Sequence, residues 1–348
     1  MADVMLLRAQ KASARSINLS CKKLKRVPKL IGAIQSIIHI DLKGNKLQVL
    51  PDELGNLMQV ESLNLGNNEF SIIPLCISQL FTLNILHLFQ NQLETIPEGV
   101  FENLRCLTVL NLNNNLLTKL PKDVCNLVNL EKLSLDNNNL RQLPFEICAL
   151  SRLKELRITK NRLERLPLEF GFLSRLEELH VPLNRLRELP ESLGKCYNLK
   201  VLDVAANELR IFPTEMEQLP LVELHCEENP LLSHLPVHSI QEEEVLSLKE
   251  LAARYVMTEL KDRFSSLRAH LKDFPELKRM LAQSSTCAVC SQPFLNTWLE
   301  CVHFIKPRKL KLKNSTTGNS LEIPIRALLC SYGCFNKKNH EYYGVAFP

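Results

Sequence analysis

Two close cysteine pairs stand near the end of the chain, Cys287-x-x-Cys290 and Cys330-x3-Cys334. Thiolates at such spacings, two from each of two short turns, can meet around one zinc ion as a tetrahedron. Four thiolates leave no position open for a water, so the chemistry is structural: the metal supplies folding energy to a segment with few aliphatic side chains. Cys301 and His303, which lie between the pairs, are second-choice ligands. Two other readings stay open. The cysteines can be free thiols, or C-x-x-C can be a redox pair, although the strand-to-helix turn of a thioredoxin-like βαβ unit is missing from the pattern. One structural zinc ion is the expected cofactor.

No other constellation of reactive groups competes with it. There is no glycine-rich phosphate loop, no G-x-S-x-G and no H-E-x-x-H, and the nine histidines are dispersed. The chain therefore reads as a non-enzyme with no catalytic residues. A net charge of +5, with acidic and basic residues interspersed, argues against a nucleic-acid partner. No apolar run reaches the length of a membrane span. The opening Met1-Ala-Asp-Val-Met-Leu-Leu-Arg8 lacks a signal-peptide pattern, so no membrane partner is expected. Seven more cysteines, from Cys21 to Cys226, are scattered singly. They read as small reduced apolar fillers, which places the chain in the cytoplasm, with the nucleus left open.

The element that dominates the chain is a ladder. Lys22, Asn45, Asn68, Asn91, Asn115, Asn138, Asn161, Asn184, Asn207 and Asn229 recur at steps of 22 to 24 residues. Around Asn138 the frame is Leu130, Leu133, Leu135, Asn138, Leu140 and Leu143-Pro144; around Asn45 it is Ile37, Ile40, Leu42, Asn45, Leu47 and Leu50-Pro51. The apolar alternation marks a short strand, and the asparagine amide can satisfy backbone groups at the turn that follows. The frame is L-x-x-L-x-L-x-x-N-x-L, and it resembles the short, proline-bearing class of intracellular leucine-rich repeat proteins. The resemblance implies an interaction scaffold with no catalytic residues to carry over. By analogy with that class, it also allows a regulator of a phosphatase or a small GTPase.

The expected fold is α/β: a leucine-rich repeat solenoid of about ten repeats, with a parallel concave sheet and a horseshoe outline. A helical cap and a small cysteine-rich, zinc-ribbon-like tail should follow it. The expected boundaries are an N-terminal segment over 1–11, the solenoid over 12–237, the cap over 238–283 and the cysteine-rich domain over 284–348. One extra residue within Gly99–Leu104 reads as a small bulge on the convex side.

Counting back six, four and two places from each ladder position gives the residues that face outward from each strand. The fourth and fifth repeats break a polar face with Ile85, His87, Phe89 and Val109, next to Asn111. An aromatic side chain flanked by aliphatics is a candidate partner-binding patch. Arg157 and His180, beside Glu155 and Glu178, form a second and weaker candidate, which ordinary solvated surface explains equally well.

Past the ladder, an acidic run from Gln241 to Glu244 precedes Val245, Leu248, Leu251, Ala252, Tyr255, Val256 and Leu260 at helical spacing. Phe264, Leu267 and Leu271 continue the pattern, and Pro275 should break or restart it. Such helices can cover the open end of a repeat stack. The run Ser247, Leu248, Leu251, Ala252, Val256 also resembles the elongin-recruiting box of ubiquitin-ligase substrate receptors, with Ala252 where cysteine is usual. Phe274-Pro275 faintly resembles the cullin-binding element that accompanies it. Repeats, this helix and the cysteine pairs around Trp298-Leu-Glu-Cys301 together resemble a wider family associated with cullin-type ligase adaptors. The leading expectation is a protein-interaction scaffold with an unidentified protein partner on the concave face. The alternative is a substrate-recognition adaptor of an elongin/cullin-type ligase. The basic stretch Lys306 to Lys313 reads as a charged edge strand or loop, or as a nuclear or acidic-partner signal.

Overall fold

The computed structural model describes residues 2–232, 246–262, 265–282, 284–295, 299–307, 314–315, 322–337 and 340–344. Pro236, the run Gln241 to Glu244, Val245, Phe264, Trp298 and the basic residues 308–313 lie outside the described residues. The chain forms two units. One comprises residues 1–209, 217–230 and 310–318, and the other 210–216, 231–309 and 319–348.

The first unit is the repeat stack. Its ten strands are β1 (Ser16–Asn18), β2 (His39–Asp41), β3 (Ser62–Asn64), β4 (Ile85–His87), β5 (Val109–Asn111), β6 (Lys132–Ser134), β7 (Glu155–Arg157), β8 (Glu178–His180), β9 (Val201–Asp203) and β10 (Glu223–His225). Each pairs in parallel with the next in sequence, the repeat frame kept in register: Ile17 meets Ile40, and Leu63 meets Leu86. The middle residue of every strand is buried and the flanking residues are not. The short segment Asn314–Ser315 adds an eleventh strand beside β10, which no periodicity announced. Prolines 28, 51, 74, 121, 144 and 190 stand in extended conformation immediately before 3-10 turns. Proline suits that place because its φ is preset and its missing N–H is not needed.

Two local features depart from a plain repeat. Helix α1 (Ala2–Lys11) occupies the segment left unassigned by sequence, buries Leu6, and packs on the 3-10 turn Lys29–Ala33 of the first repeat. The terminal repeat has no neighbour on that side, so an amphipathic helix there covers apolar surface. In the fifth repeat the extra residue is absorbed with Gly99 at φ 86°. Asp123 Oδ2 accepts from the N–H groups of Gly99 at 2.8 Å and Phe101 at 3.2 Å. Val100 and Phe101 are fully buried, so the insertion adds core as well as loop.

The second unit contains helix α2 (Leu248–Glu259), a short helix Leu267–His270, and a helix that starts at Pro275 and runs to Ala282. Pro275 thus restarts the helix, as expected. Leu299–Ile305 pairs antiparallel with Ile323–Leu329 and with Tyr342–Gly344. Phe212 joins this sheet through Pro324 and Arg326. The helical spacing on α2 divides between two faces: Leu248 and Tyr255 are 82% and 67% exposed, while Glu250 is fully buried. The Glu250 carboxylate accepts from Arg254 and from the Leu295 N–H, and those bonds turn the polar residue inward. Ala253 and Met257 then form the packed face with Leu281, Leu277 and Met280. No helix among the described residues is long and apolar enough to cross a membrane.

Candidate functional site

The turns that carry the cysteines are built by local bonds. Cys287 and Cys290 lie between the paired strands Ser285–Thr286 and Pro293–Phe294. Ser291 N–H closes their turn onto the Cys287 carbonyl at 2.9 Å, and Ser291 itself has φ 58°. Cys330 follows the strand Ile323–Leu329, and Cys334 sits in the short helix Tyr332–Phe335, whose cap Ser331 accepts from the Cys334 N–H at 3.3 Å. Sequence positions 40 residues apart meet here. The four sulfurs lie within 4.8 Å of one another, with Cys290–Cys330 and Cys330–Cys334 at 3.6 Å. A tetrahedral zinc with Zn–S near 2.3 Å places its sulfurs about 3.8 Å apart.

The electrostatics match a site for a cation. Burial pushes the Cys287 thiol up, but backbone N–H groups of Cys290, Cys330 and Val289 outweigh it and bring it to about 7. Burial and the neighbouring thiols push Cys330 up instead. Four thiols this close cannot all ionise without a positive charge among them. Cys301 is buried nearby, pushed up to about 12 by burial, and neither it nor His303 belongs to the four. In the repeats, Cys76, Cys148, Cys196 and Cys226 are buried thiols, whereas Cys21 and Cys106 are exposed, so filling explains only part of the scattered set. All twelve cysteines are free.

On the open face of the repeat sheet, β4 and β5 bring Ile85 beside Val109 and His87 beside Asn111. The tip of the Phe89 ring lies against Gly66, where a Cβ would come 2.5 Å from Cζ. Lys43 Nζ sits 5.3 Å from the Phe89 ring centre, and the His87 ring meets it edge-on at 6.1 Å. His87 Nδ1 is buried and has no hydrogen-bond partner among the described residues. Burial, with Lys43 adding to it, holds the His87 pKa below its usual value. Asn111 differs in kind: its Oδ1 accepts from the Asn113 N–H at 3.0 Å. Asn18, Asp41, Asn64 and Asp203 make the same bond two residues on, so much of this column shapes turns. Arg157 reaches Asp136 at 3.5 Å and Glu155 at 3.6 Å. His180 lies 3.4 Å from Glu178 and 3.8 Å from Asp203. Asp203 raises its pKa, with Glu178 helping and burial and Arg157 opposing.

One surface escaped sequence reading. Phe145, Leu168 and Phe172 are 64%, 76% and 69% exposed on the turns of successive repeats. The signal for Phe145 and Leu168 was an apolar residue after Leu-Pro, where Asp52, Lys122 and Glu191 stand in other repeats. On α2, the sequence-named Leu248, Leu251 and Ala252 form one exposed apolar stripe with Tyr255, whereas Val256 is partly buried against Ala253 and Met257.

Family models described as leucine rich repeat match residues 81–140 and 59–80. Residues 59–140 are leucine-rich repeats, and the ten-strand stack that contains them has that fold. It is similar to leucine-rich repeat-containing protein 69 of Xenopus laevis, 44% identical over 131 residues covering 38% of this chain and 37% of that protein. The human protein of that name is 38% identical over 126 residues, 36% of this chain and 35% of its own length. The matched part thus spans little more than a third of these relatives. Among solved structures, the functional domain of InlJ from Listeria monocytogenes aligns with a TM-score of 0.53 at 21% identity, over 64% of this chain and 46% of that one. That likeness concerns the repeat fold alone.

Proposed function

We propose that this chain is a non-enzymatic protein-interaction scaffold whose repeat sheet holds a partner protein on its open face. The observation that carries the reading is the half-buried cluster Ile85, His87, Phe89 and Val109, the one place among the described residues of this face where an aromatic ring and two aliphatic side chains occupy outward positions of adjacent strands. A half-buried aromatic ring beside a histidine nitrogen with no partner among the described residues is a form of surface that gains from being covered. The test begins with proximity labelling in cells to obtain a partner. His87→Glu with Phe89→Glu should then weaken its binding at least tenfold, with the circular dichroism of the repeats unchanged. Undiminished binding removes the patch from the reading.

A second reading has its own observation. The outward stripe Leu248, Leu251, Ala252, Tyr255 has the i, i+3, i+4, i+7 spacing by which helices dock into apolar grooves. It supports an elongin/cullin-type adaptor, although Ser247 also has a structural duty as the α2 cap, accepting from the Glu250 N–H at 3.2 Å. Leu248→Asp should abolish elongin recovery in a pull-down. Failure of the wild-type chain to recover elongin, where a known receptor succeeds, eliminates this reading.

The four cysteines hold one structural zinc ion in this proposal. Elemental analysis of the purified full chain should give close to one equivalent of zinc, and Cys330→Ser should remove it. Twelve free thiols suit a reducing compartment, and we place the chain in the cytoplasm.

A further inference from the structure

We propose that the metal centre extends beyond its four cysteines into helix α2, with Arg254 as the residue that positions the ligand Cys330. The inference rests on the zinc reading above and assigns new residues to it. Arg254 Nη2 donates to the Cys330 carbonyl at 2.7 Å, and Arg254 Nε donates to Glu250 Oε1 at 2.7 Å. Glu250 is fully buried and also accepts from the Leu295 N–H at 3.1 and 3.3 Å. The Glu250–Arg254 pair therefore ties three segments together: the helix, the second cysteine turn through Arg254, and the strand end after Pro293–Phe294 through Glu250.

The other cysteine turn is tied to the same element. Lys261, two residues past α2, donates to the Ser291 carbonyl at 3.2 Å, next to Cys290. A peptide whose carbonyl is held by a guanidinium cannot turn freely, and the peptide after Cys330 leads directly into the helix that carries Cys334. A buried carboxylate and guanidinium persist only as a fully bonded pair, so Glu250 fixes where Arg254 can point. Groups that orient metal ligands without touching the metal typically matter by ten- to a hundredfold in affinity. The coupling works in both directions. Metal that fixes Cys330 also fixes α2, and with it the exposed stripe Leu248, Leu251, Ala252, Tyr255.

The full chain, reduced and metal-free, is titrated with cobalt(II), and the visible bands of a tetrahedral tetrathiolate are followed. The wild type should bind one equivalent. Glu250→Gln with Arg254→Met, which removes both charges and keeps an acceptor for Leu295, should bind about ten- to a hundredfold more weakly. Arg254→Lys keeps a charge for Glu250 but cannot reach both acceptors, and should fall between them. In a parallel amide-exchange measurement, residues 251–259 of the wild type should exchange faster once a chelator removes the metal. If the double variant does not fold, Arg254→Lys and the wild-type exchange decide the matter. No cobalt–thiolate band in the wild type overturns the zinc reading and this inference together. A band in the wild type, with equal affinity in the variants and α2 exchange indifferent to metal, overturns this inference alone.

Discussion

Asn138 does with one amide what several backbone groups need. Its Oδ1 accepts from the Leu117 N–H at 3.0 Å, and its Nδ2 donates to the carbonyls of Leu112 and Leu135 at 3.0 Å. Those partners span two repeats and are buried, so truncation leaves them without water or substitute. Asn138→Ala should cost about 3 kcal/mol in a denaturant titration. The residue before each ladder position is a quieter requirement. Gly44, Asn67, Gln90, Asn114, Asn137, Lys160, Leu183, Ala206 and Glu228 all have φ between 52° and 68°. Asparagine and glycine adopt that conformation easily, but leucine does not. Leu183 is 52% exposed, so its side chain gives little back. Leu183→Asn should therefore stabilise the chain by about 0.5–1 kcal/mol, and a lower denaturation midpoint would refute it. The two face histidines should respond to pH with opposite sign. His180 has a raised folded pKa, so its contribution is complete below about pH 6.5 and is lost as pH rises through the folded value. His87 is depressed, so the chain loses stability as pH falls from about 6.5 through that lower value. His180→Asn should destabilise more at about pH 5.5 than at about pH 8.5, and His87→Asn should blunt the acid loss.

At the scale of elements, legibility followed periodicity. The strands, their parallel order and the asparagine ladder were readable because each repeat reuses one frame over more than two hundred residues. The cysteine centre was readable because ligand chemistry restricts residue type and spacing. Helix α1 and the strand Asn314–Ser315 were not, since each occurs once and answers a need created by stacked neighbours. Helix α2 shows the limit most clearly. Its apolar spacing names a face, but Glu250, through Arg254 and Leu295, decides which face turns inward. Likewise Asn111 reads as surface, and only the three-dimensional turn shows it bonded to Asn113. Gly66 is the element-scale counterpart for the face patch. Its neighbour Phe89 touches it with ring atoms that can swing away, so Gly66→Ala should cost little stability while lifting the ring off the sheet. Partner binding should then weaken several-fold at an unchanged denaturation midpoint. Full binding to Gly66→Ala would mean that the placement of Phe89 against Gly66 is irrelevant.

Across the whole open face of the repeat sheet, charge is unevenly placed. Over β8 to β10, the outward positions carry Glu178, Asp203, Glu223 and Glu227 and neither lysine nor arginine, although the chain as a whole is basic by five charges. Over β1 to β3, Asp41 is offset by Lys43. An apolar patch near the middle and a carboxylate field several strands away would act differently on a partner. Apolar anchors in a desolvated centre set how slowly a complex dissociates, while peripheral charges steer approach and are screened by salt. The Debye length falls from about 10 Å at 0.1 M to about 3 Å at 1 M, against a strand spacing of about 4.8 Å. If the field engages the partner, that partner presents basic groups, and raising salt over this range should slow association at least tenfold with little effect on dissociation. Glu178→Gln should flatten the salt dependence, whereas Phe89→Glu should speed dissociation. Association that is flat or faster at high salt would show that the carboxylates lie outside the contact, leaving the patch around Phe89 to hold the partner alone.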